Sequence, residues 1–210
     1  MISLGIPSWF REENEDKNIC KSPFDYELIG SEIDALEQGL IDGWKETDIQ
    51  QFLKKRPYLF DGLYPHGHGT YVFYEQSFGG KYIADWVIGN GNSAGIFWDL
   101  IELEAPQFIP FKQDGHFSDA ARKGVNQIQN WRTWLTQNNN MVERPKSNSG
   151  LGLFGLNCHA HGTVVVGRRE LYQSKQGSQA YNQTRETCRV QNRIKVISYE
   201  SLIEKMRFHI

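Results

Sequence analysis

Cysteine is scarce in this chain, and its three copies, Cys20, Cys158 and Cys188, stand far apart. An odd, scattered set does not make a disulfide framework, so free or buried thiols are expected. Long apolar runs are missing too: no stretch approaches the roughly 18 residues of a membrane-spanning helix. The opening MISLGIPSWFREENEDK has neither a basic start nor a continuous apolar segment, which argues against a secretory signal. A cytoplasmic protein that does not enter a membrane is therefore expected. The sequence has no internal repeat. Its glycine-rich GNGNSAG is not followed by a helix with a phosphate-binding lysine, which argues against a nucleotide-binding loop of that kind.

What remains is a chain of 210 residues with an ordinary apolar content, enough for one domain with a full core. The formal net charge of −2 conceals a division. Residues 1–105 carry 8 Lys and Arg against 18 Asp and Glu, whereas residues 106–210 carry 15 against 7. An acidic site at the mouth of a basic groove would have this pattern, as a metal-dependent enzyme acting on a polyanion requires. So would two halves that neutralise each other across the fold.

Hydrophobic periodicity divides the chain into an N-terminal arm with a short helix, 1–44, and a main domain, 45–210. In SEIDALEQGLIDGW, Ser31 is a candidate helix cap and Gly39 or Gly43 a break. KETDIQQFLKKRPYLF carries an apolar stripe of Ile49, Phe52 and Leu53, stopped by Pro57. Three strand-like segments follow, TYVFYEQSF, KYIADWVIG and GIFWDLIELE, with hairpin-like separators that predict an antiparallel meander. After a looser stretch comes the helix SDAARKGVNQIQNWRTWLTQNN, with Val125, Ile128, Trp131 and Leu135 on one side. HGTVVVGRR reads as a strand, SQAYNQTRETCRVQN as a helix, IKVISY as a strand and SYESLIEKMRF as a final helix. This order describes an α/β protein with a mixed central sheet flanked by helices.

The chemistry is concentrated at the end of the third strand segment. In IFWDLIELEAP, alternation puts Glu102 and Glu104 on the face that also carries Trp98 and Leu100. Their Cα atoms would lie about 6.5 Å apart, at roughly 3.3 Å per residue. Two carboxylates that close on an apolar face repel each other and lose hydration unless a cation joins them; alternatively the strand simply surfaces there. Asp85, inside KYIADWVIG, is polar whichever face is buried. A meander could bring the three acids together at one end of the sheet. Oxygen donors with open positions suit Mg²⁺ or Mn²⁺, and such an ion favours phosphodiester hydrolysis.

Taken in order, DIQQFLKKRPYLF, YIADWVIGNG, WDLIELEAP, SDAARKGVNQIQNWRTWL, VVVGRRE and IKVISYESLIEKM resemble the PD-(D/E)XK nuclease superfamily. More narrowly, they resemble the nuclease domain of Shedu anti-phage defence proteins. The resemblance implies a restriction-endonuclease-like core of αβββαβ order with an extra C-terminal strand and helix, and a metal-dependent DNA endonuclease acting as a homo-oligomer. It makes Asp85 and Glu102 metal ligands. It puts Glu104 where the superfamily has lysine, a departure that removes a positive charge but leaves a group able to accept a proton or hold metal. Gln127 matches a helix glutamine that orients water or the DNA backbone, or is an exposed helix residue. Glu46 corresponds to an additional acidic ligand, or complements the helix start. Arg168 and Arg169 stand in the GRR element as phosphate contacts or salt-bridge partners, and Arg122 and Lys123 could join the same groove.

The groupings HGH (His66, His68) and CHAH (Cys158, His159, His161) hold metal-ligand types, but their spacing matches no well-defined zinc module. The competing readings of the whole are a catalytically inactive nucleic-acid-binding or scaffold protein, and a nuclease of RNA or single strands.

Overall fold

The computed structural model describes residues 6–14, 19–20, 26–64, 69–173 and 179–207. Helix α1 (Ser8–Asn14) and a short strand β1 (Ile19–Cys20) precede α2 (Tyr26–Ile41) and α3 (Glu46–Lys54). The three alternating segments form β2 (Thr70–Phe78), β3 (Tyr82–Asn92) and β4 (Gly95–Leu103). Then follow α4 (Asp119–Gln137), α5 (Asn139–Glu143), β5 (His161–Val165), α6 (Arg169–Gln173), α7 (Gln179–Gln191), β6 (Ile194–Ile197) and α8 (Tyr199–Arg207).

The sheet runs in sequence order from β1 to β6. Strands β1 to β4 are antiparallel neighbours, while β4, β5 and β6 are parallel. The expected meander and mixed sheet are therefore present, with β1 as a short edge. Alternation sorts the strand residues onto two apolar faces. Phe73, Val87, Trp98, Leu100 and Val164 pack under Val125, Ile128, Trp131 and Leu135 of α4. Val72, Trp86, Ile88, Ile101 and Val165 pack under α2, α3 and α8 through Ile33, Leu36, Ile49, Leu53, Leu202 and Ile203. Each such aliphatic side chain withdrawn from water contributes roughly 1.5–3 kcal/mol against the entropy of ordering the chain.

Two local readings change. Helix α2 starts at Tyr26 rather than at Ser31, whose hydroxyl lies within the helix and donates to the Leu28 carbonyl at 2.8 Å. The same helix runs through Gly39, where Trp44 takes the space of a side chain and a methyl group would meet Trp44 Cδ2 at 2.3 Å, and ends at Ile41 just before Gly43, the other expected break, whose φ is 82°. Helix α1 also joins the core, with the Phe10 ring 4.8 Å from that of Tyr71. Among the described residues no helix is long and apolar enough to cross a membrane.

Helix α4 sets the geometry of the site. The Ser118 hydroxyl caps it by accepting the Ala121 amide at 3.2 Å. Its close approach to the sheet depends on Gly124, where a methyl group would lie 2.6 Å from Val164 Cγ1 and 3.6 Å from Glu102 Cγ.

Candidate active site

The β3–β4 ladder ends at the pair Trp86 and Ile101. One step further, where Asp85 and Glu102 would pair, no backbone bridge forms. Instead the Asp85 carboxylate accepts the Leu103 amide at 2.8 Å, so a side chain closes a gap in the sheet. Strand β4 keeps its other neighbour here, since the Glu104 amide donates to Val165 at 2.8 Å. The acid cluster therefore sits where two antiparallel strands part company and the parallel half of the sheet continues.

Burial makes these acids unusual. Glu102 is 4 % exposed and Glu104 only 1 %, so the strand does not surface at Glu102. Desolvation is the largest cause of a raised Glu102 pKa, and the charges of Asp85 and Glu104 add to it, pushing it up to about 9. Asp85 is raised to about 6, again by desolvation first, with the Leu103 amide and a hydrogen bond from Glu102 pulling the other way. Burial and the neighbouring negative charges thus favour the protonated form of Glu102, whose hydrogen bond in turn favours the Asp85 carboxylate. Its other oxygen, Oε2, is buried without a hydrogen-bond partner, an uncompensated cost in a folded protein.

Glu46, at the start of α3, reaches the same cluster from the opposite face of the sheet. Its pKa is raised by desolvation and then by the charges of Asp85 and Glu104. So the helix-start acid faces its fellow carboxylates rather than solvent alone. From the other side comes Lys123 of α4, whose Nζ lies 3.0 Å from Glu104 Oε1 and donates to Oε2 at 3.2 Å. Burial works against the Lys123 ammonium, but the Glu104 hydrogen bond and the charges of Glu104, Glu102 and Glu46 outweigh it and raise its pKa. It is thus a fixed cation and not a base.

Residues 44–203 match the family model described as Shedu protein SduA, C-terminal. The chain belongs to this family. No curated protein matches it. The Shedu match spans every element from α3 to β6 and most of α8, and so contains all the acids just described.

Among the remaining candidates of this Shedu chain, Gln127 lies one helical turn beyond Lys123, and its side-chain carbonyl is buried without a partner. It lines a shallow cleft of about 430 Å³ with Arg122, Lys123, Asn126 and Asn130. Arg122 is exposed, 3.7 Å from Asp119, and donates to the Phe117 carbonyl at 3.3 Å. Arg168 and Arg169 are engaged elsewhere. The Arg168 guanidinium pairs with Glu200 and donates to the Leu40 carbonyl at 2.8 Å, and Arg169 pairs with Glu204 at 2.5 Å. Both ties hold α8 to the turn after β5. His66 and His68 lie outside the described residues, and His159 and His161 are exposed far from the acids, at the opening end of β5.

Sequence reasoning missed two contributors. Tyr199 is buried beneath the cluster and donates its hydroxyl to the Glu104 carbonyl at 2.8 Å, fixing the backbone that carries the acid. Gly124 supplies the space for Glu102; its only signal was a small residue on the apolar side of a helix three positions before Gln127.

Among the described residues no three acidic, histidine or cysteine groups are already gathered as metal ligands. The donor chemistry nonetheless fits a hard cation. Two carboxyls lie beside each other, one has an unpartnered buried oxygen, and a Mg²⁺ ion commonly takes only one or two protein carboxylates plus water and phosphate oxygens.

Proposed function

We propose that this protein is a metal-dependent DNA endonuclease with a PD-(D/E)XK-like core, hydrolysing phosphodiester bonds at the gap between β3 and β4. The observation that carries the reading is the buried Asp85–Glu102 pair beside a fixed lysine cation. The strand order, with an antiparallel meander followed by a parallel strand behind helix α4, supports the same core.

Asp85 and Glu102 would hold Mg²⁺ or Mn²⁺, with Glu46 nearby as a further acid. The ion, when bound, would draw charge from a phosphate oxygen and acidify a water. Asp85 stays where its bond to Leu103 holds it, and Glu102 would join it as a carboxylate. Lys123 sets a positive charge beside Glu104, and so restores on a helix what the strand lacks at position 104. That charge stabilises the phosphorane-like transition state as water adds to phosphorus and the ester oxygen leaves. Glu104 would accept the proton of the attacking water, and Gln127 would orient that water or the backbone through its side-chain carbonyl.

The test is nicking of supercoiled plasmid with Mg²⁺ or Mn²⁺, set beside a folded Glu102→Gln variant. Cutting that both chelation and the substitution abolish supports the assignment; equal cutting by the variant removes it. Comparison with linear duplex and RNA decides the substrate. A second reading, a nucleic-acid-binding or scaffold protein without catalysis, draws on the burial that raises the Glu102 pKa and on the ungathered ligands. It requires salt-sensitive DNA retention and no cutting under any divalent ion. Family membership motivates two further proposals: a role in defence against phage, and a homo-oligomer, which sedimentation of the purified protein would test.

A further inference from the structure

Helix α4 does a second job about 13 Å along its axis from Lys123, at 1.5 Å per residue. There Arg132 reaches under the sheet edge and donates to the Ala160 carbonyl at 2.6 Å, to the Arg193 carbonyl at 3.1 Å and to the Asn192 carbonyl. One half-buried guanidinium thus ties the loop before β5 to the turn before β6. Between these two turns and the start of β4 lies a cleft of about 270 Å³, lined by Phe97, Trp98, Asn157, His159, His161 and Arg193. It stands at the opposite end of β4 from Glu102, about 17 Å away at 3.3–3.4 Å per residue.

Three features give the cleft a chemistry. Its ionisable lining groups are two imidazoles and a guanidinium, with no acid among the described residues that line it. Asp99 faces His161 across the β4–β5 register, but its carboxylate already accepts from Tyr64 at 3.2 Å and from Thr163 at 3.3 Å. Phe97 offers a bare ring, 56 % exposed, at the rim. The walls are also rigid: Asn157 accepts the His159 amide at 2.8 Å and donates to the Gly155 carbonyl at 3.1 Å.

Arg193 itself has a φ of 51°, in the left-handed region where glycine or asparagine is normal after a helix. Its carbonyl accepts the Gly162 amide at 3.0 Å as well as Arg132, so the fold enforces this conformation. Glycine would meet every one of those backbone demands without strain. Arginine there adds a cationic side chain to a residue that lines the cleft, and a strained residue beside a cleft points to function.

We propose that this cleft binds a nucleotidyl phosphate, with the phosphate on Arg193, His159 and His161 and the base stacked on Phe97. At about 270 Å³ the cleft lies just below the usual range for small-molecule sites, which favours one nucleotide over a larger cofactor. The site is independent of the carboxylates, so its fate does not depend on cutting. Two sources share this chemistry, a free nucleotide and a nucleotide within a nucleic-acid strand.

Titration of the intact protein with adenosine monophosphate, inorganic phosphate and adenosine, read by calorimetry, tests the assignment. The monophosphate should bind at least about tenfold tighter than either fragment. Arg193→Gly should weaken it by about tenfold or more while leaving the melting temperature equal or higher, and Phe97→Ala should lower affinity for the nucleotide but not for phosphate. Glu102→Gln should bind as the parent does. Competition by a short single-stranded oligonucleotide for the bound monophosphate would assign the strand as source, and its failure to compete would assign the free nucleotide. No saturable binding of any probe, or full affinity in a folded Arg193→Gly variant, would overturn the proposal.

Discussion

Lys123 Nζ and Glu104 Oε1 lie 3.0 Å apart across the space between helix α4 and the end of β4. One partner is almost fully buried and the other reaches it from a largely exposed stem. This pair puts a cation beside the acids although the strand supplies none. Replacing Lys123 by methionine should lower the nicking rate by about 10²- to 10³-fold, the scale for removing one charge from a transition state. It should also lower the melting temperature, because Glu104 would be left buried and unpaired. The double variant Lys123→Met with Glu104→Gln should recover the stability but not the rate. A single variant that cuts normally would remove Lys123 from the chemistry.

The acid pair predicts an inverted pH profile for the metal-free protein. Glu102 and Asp85 hold protons more tightly in the folded state than in the unfolded, with pKa values raised to about 9 and about 6. The folded state therefore binds more protons in the window above the ordinary carboxylate range, and stability falls as pH rises through it. Thermal melts in EDTA from about pH 5 to 9 should show this decline, and Mg²⁺ or Mn²⁺ should oppose it at the alkaline end. A flat profile would mean that the acids are not coupled as described.

Glu102→Gln follows from the same physics. An amide removes the buried ionisable group and can meet Asp85 as a donor. Its melting temperature at pH 8 should exceed the parent's by about 3 °C or more, while cutting is lost. A fall in melting temperature would show that the acid stabilises the apo fold.

Gly124→Ala separates helix propensity from packing. Alanine favours a helix by about 1 kcal/mol over glycine, but here its methyl group would lie 2.6 Å from Val164 Cγ1. Overpacking at a cost of about 1–3 kcal/mol should win. Chemical denaturation should show a net loss, with lower activity as α4 lifts Lys123 from Glu104. A stabilised and fully active variant would refute the close contact.

The two basic groups are predicted to separate in a salt titration of DNA binding. Arg168→Ala breaks the tie to Glu200 and Leu40, and should lower the melting temperature while leaving the salt slope unchanged. Arg122→Ala, on the exposed start of α4, should reduce that slope by about one unit with little effect on stability. The reverse pattern would move the nucleic-acid path to the α8 side.

Much of this was legible in the sequence because periodicity is a local property. Strand alternation placed Glu102 with Trp98 and Leu100, and the three-and-four spacing of Val125, Ile128, Trp131 and Leu135 put α4 on that face. The family resemblance was carried by short segments in order, and the match over residues 44–203 bears it out. Helix α2 was harder, since its interior holds Gly30 and Gly39, of which Gly39 makes room for Trp44. The arginines of GRR carry charge in the sequence, but only their partners Glu200 and Glu204 decide where that charge is used.

The sequence by itself determined which residues lie on each face of each strand and helix, because that follows from two fixed backbone periods. Only the tertiary structure decided that the β3–β4 ladder stops at Trp86 and Ile101, that Asp85 fills the gap, and that Glu46 and Lys123 arrive from opposite faces. Ladder endings and close helix approaches depend on packing between elements distant in the chain. Burial, in turn, is what lets Glu46, Asp85 and Glu102 feel one another's charge so strongly.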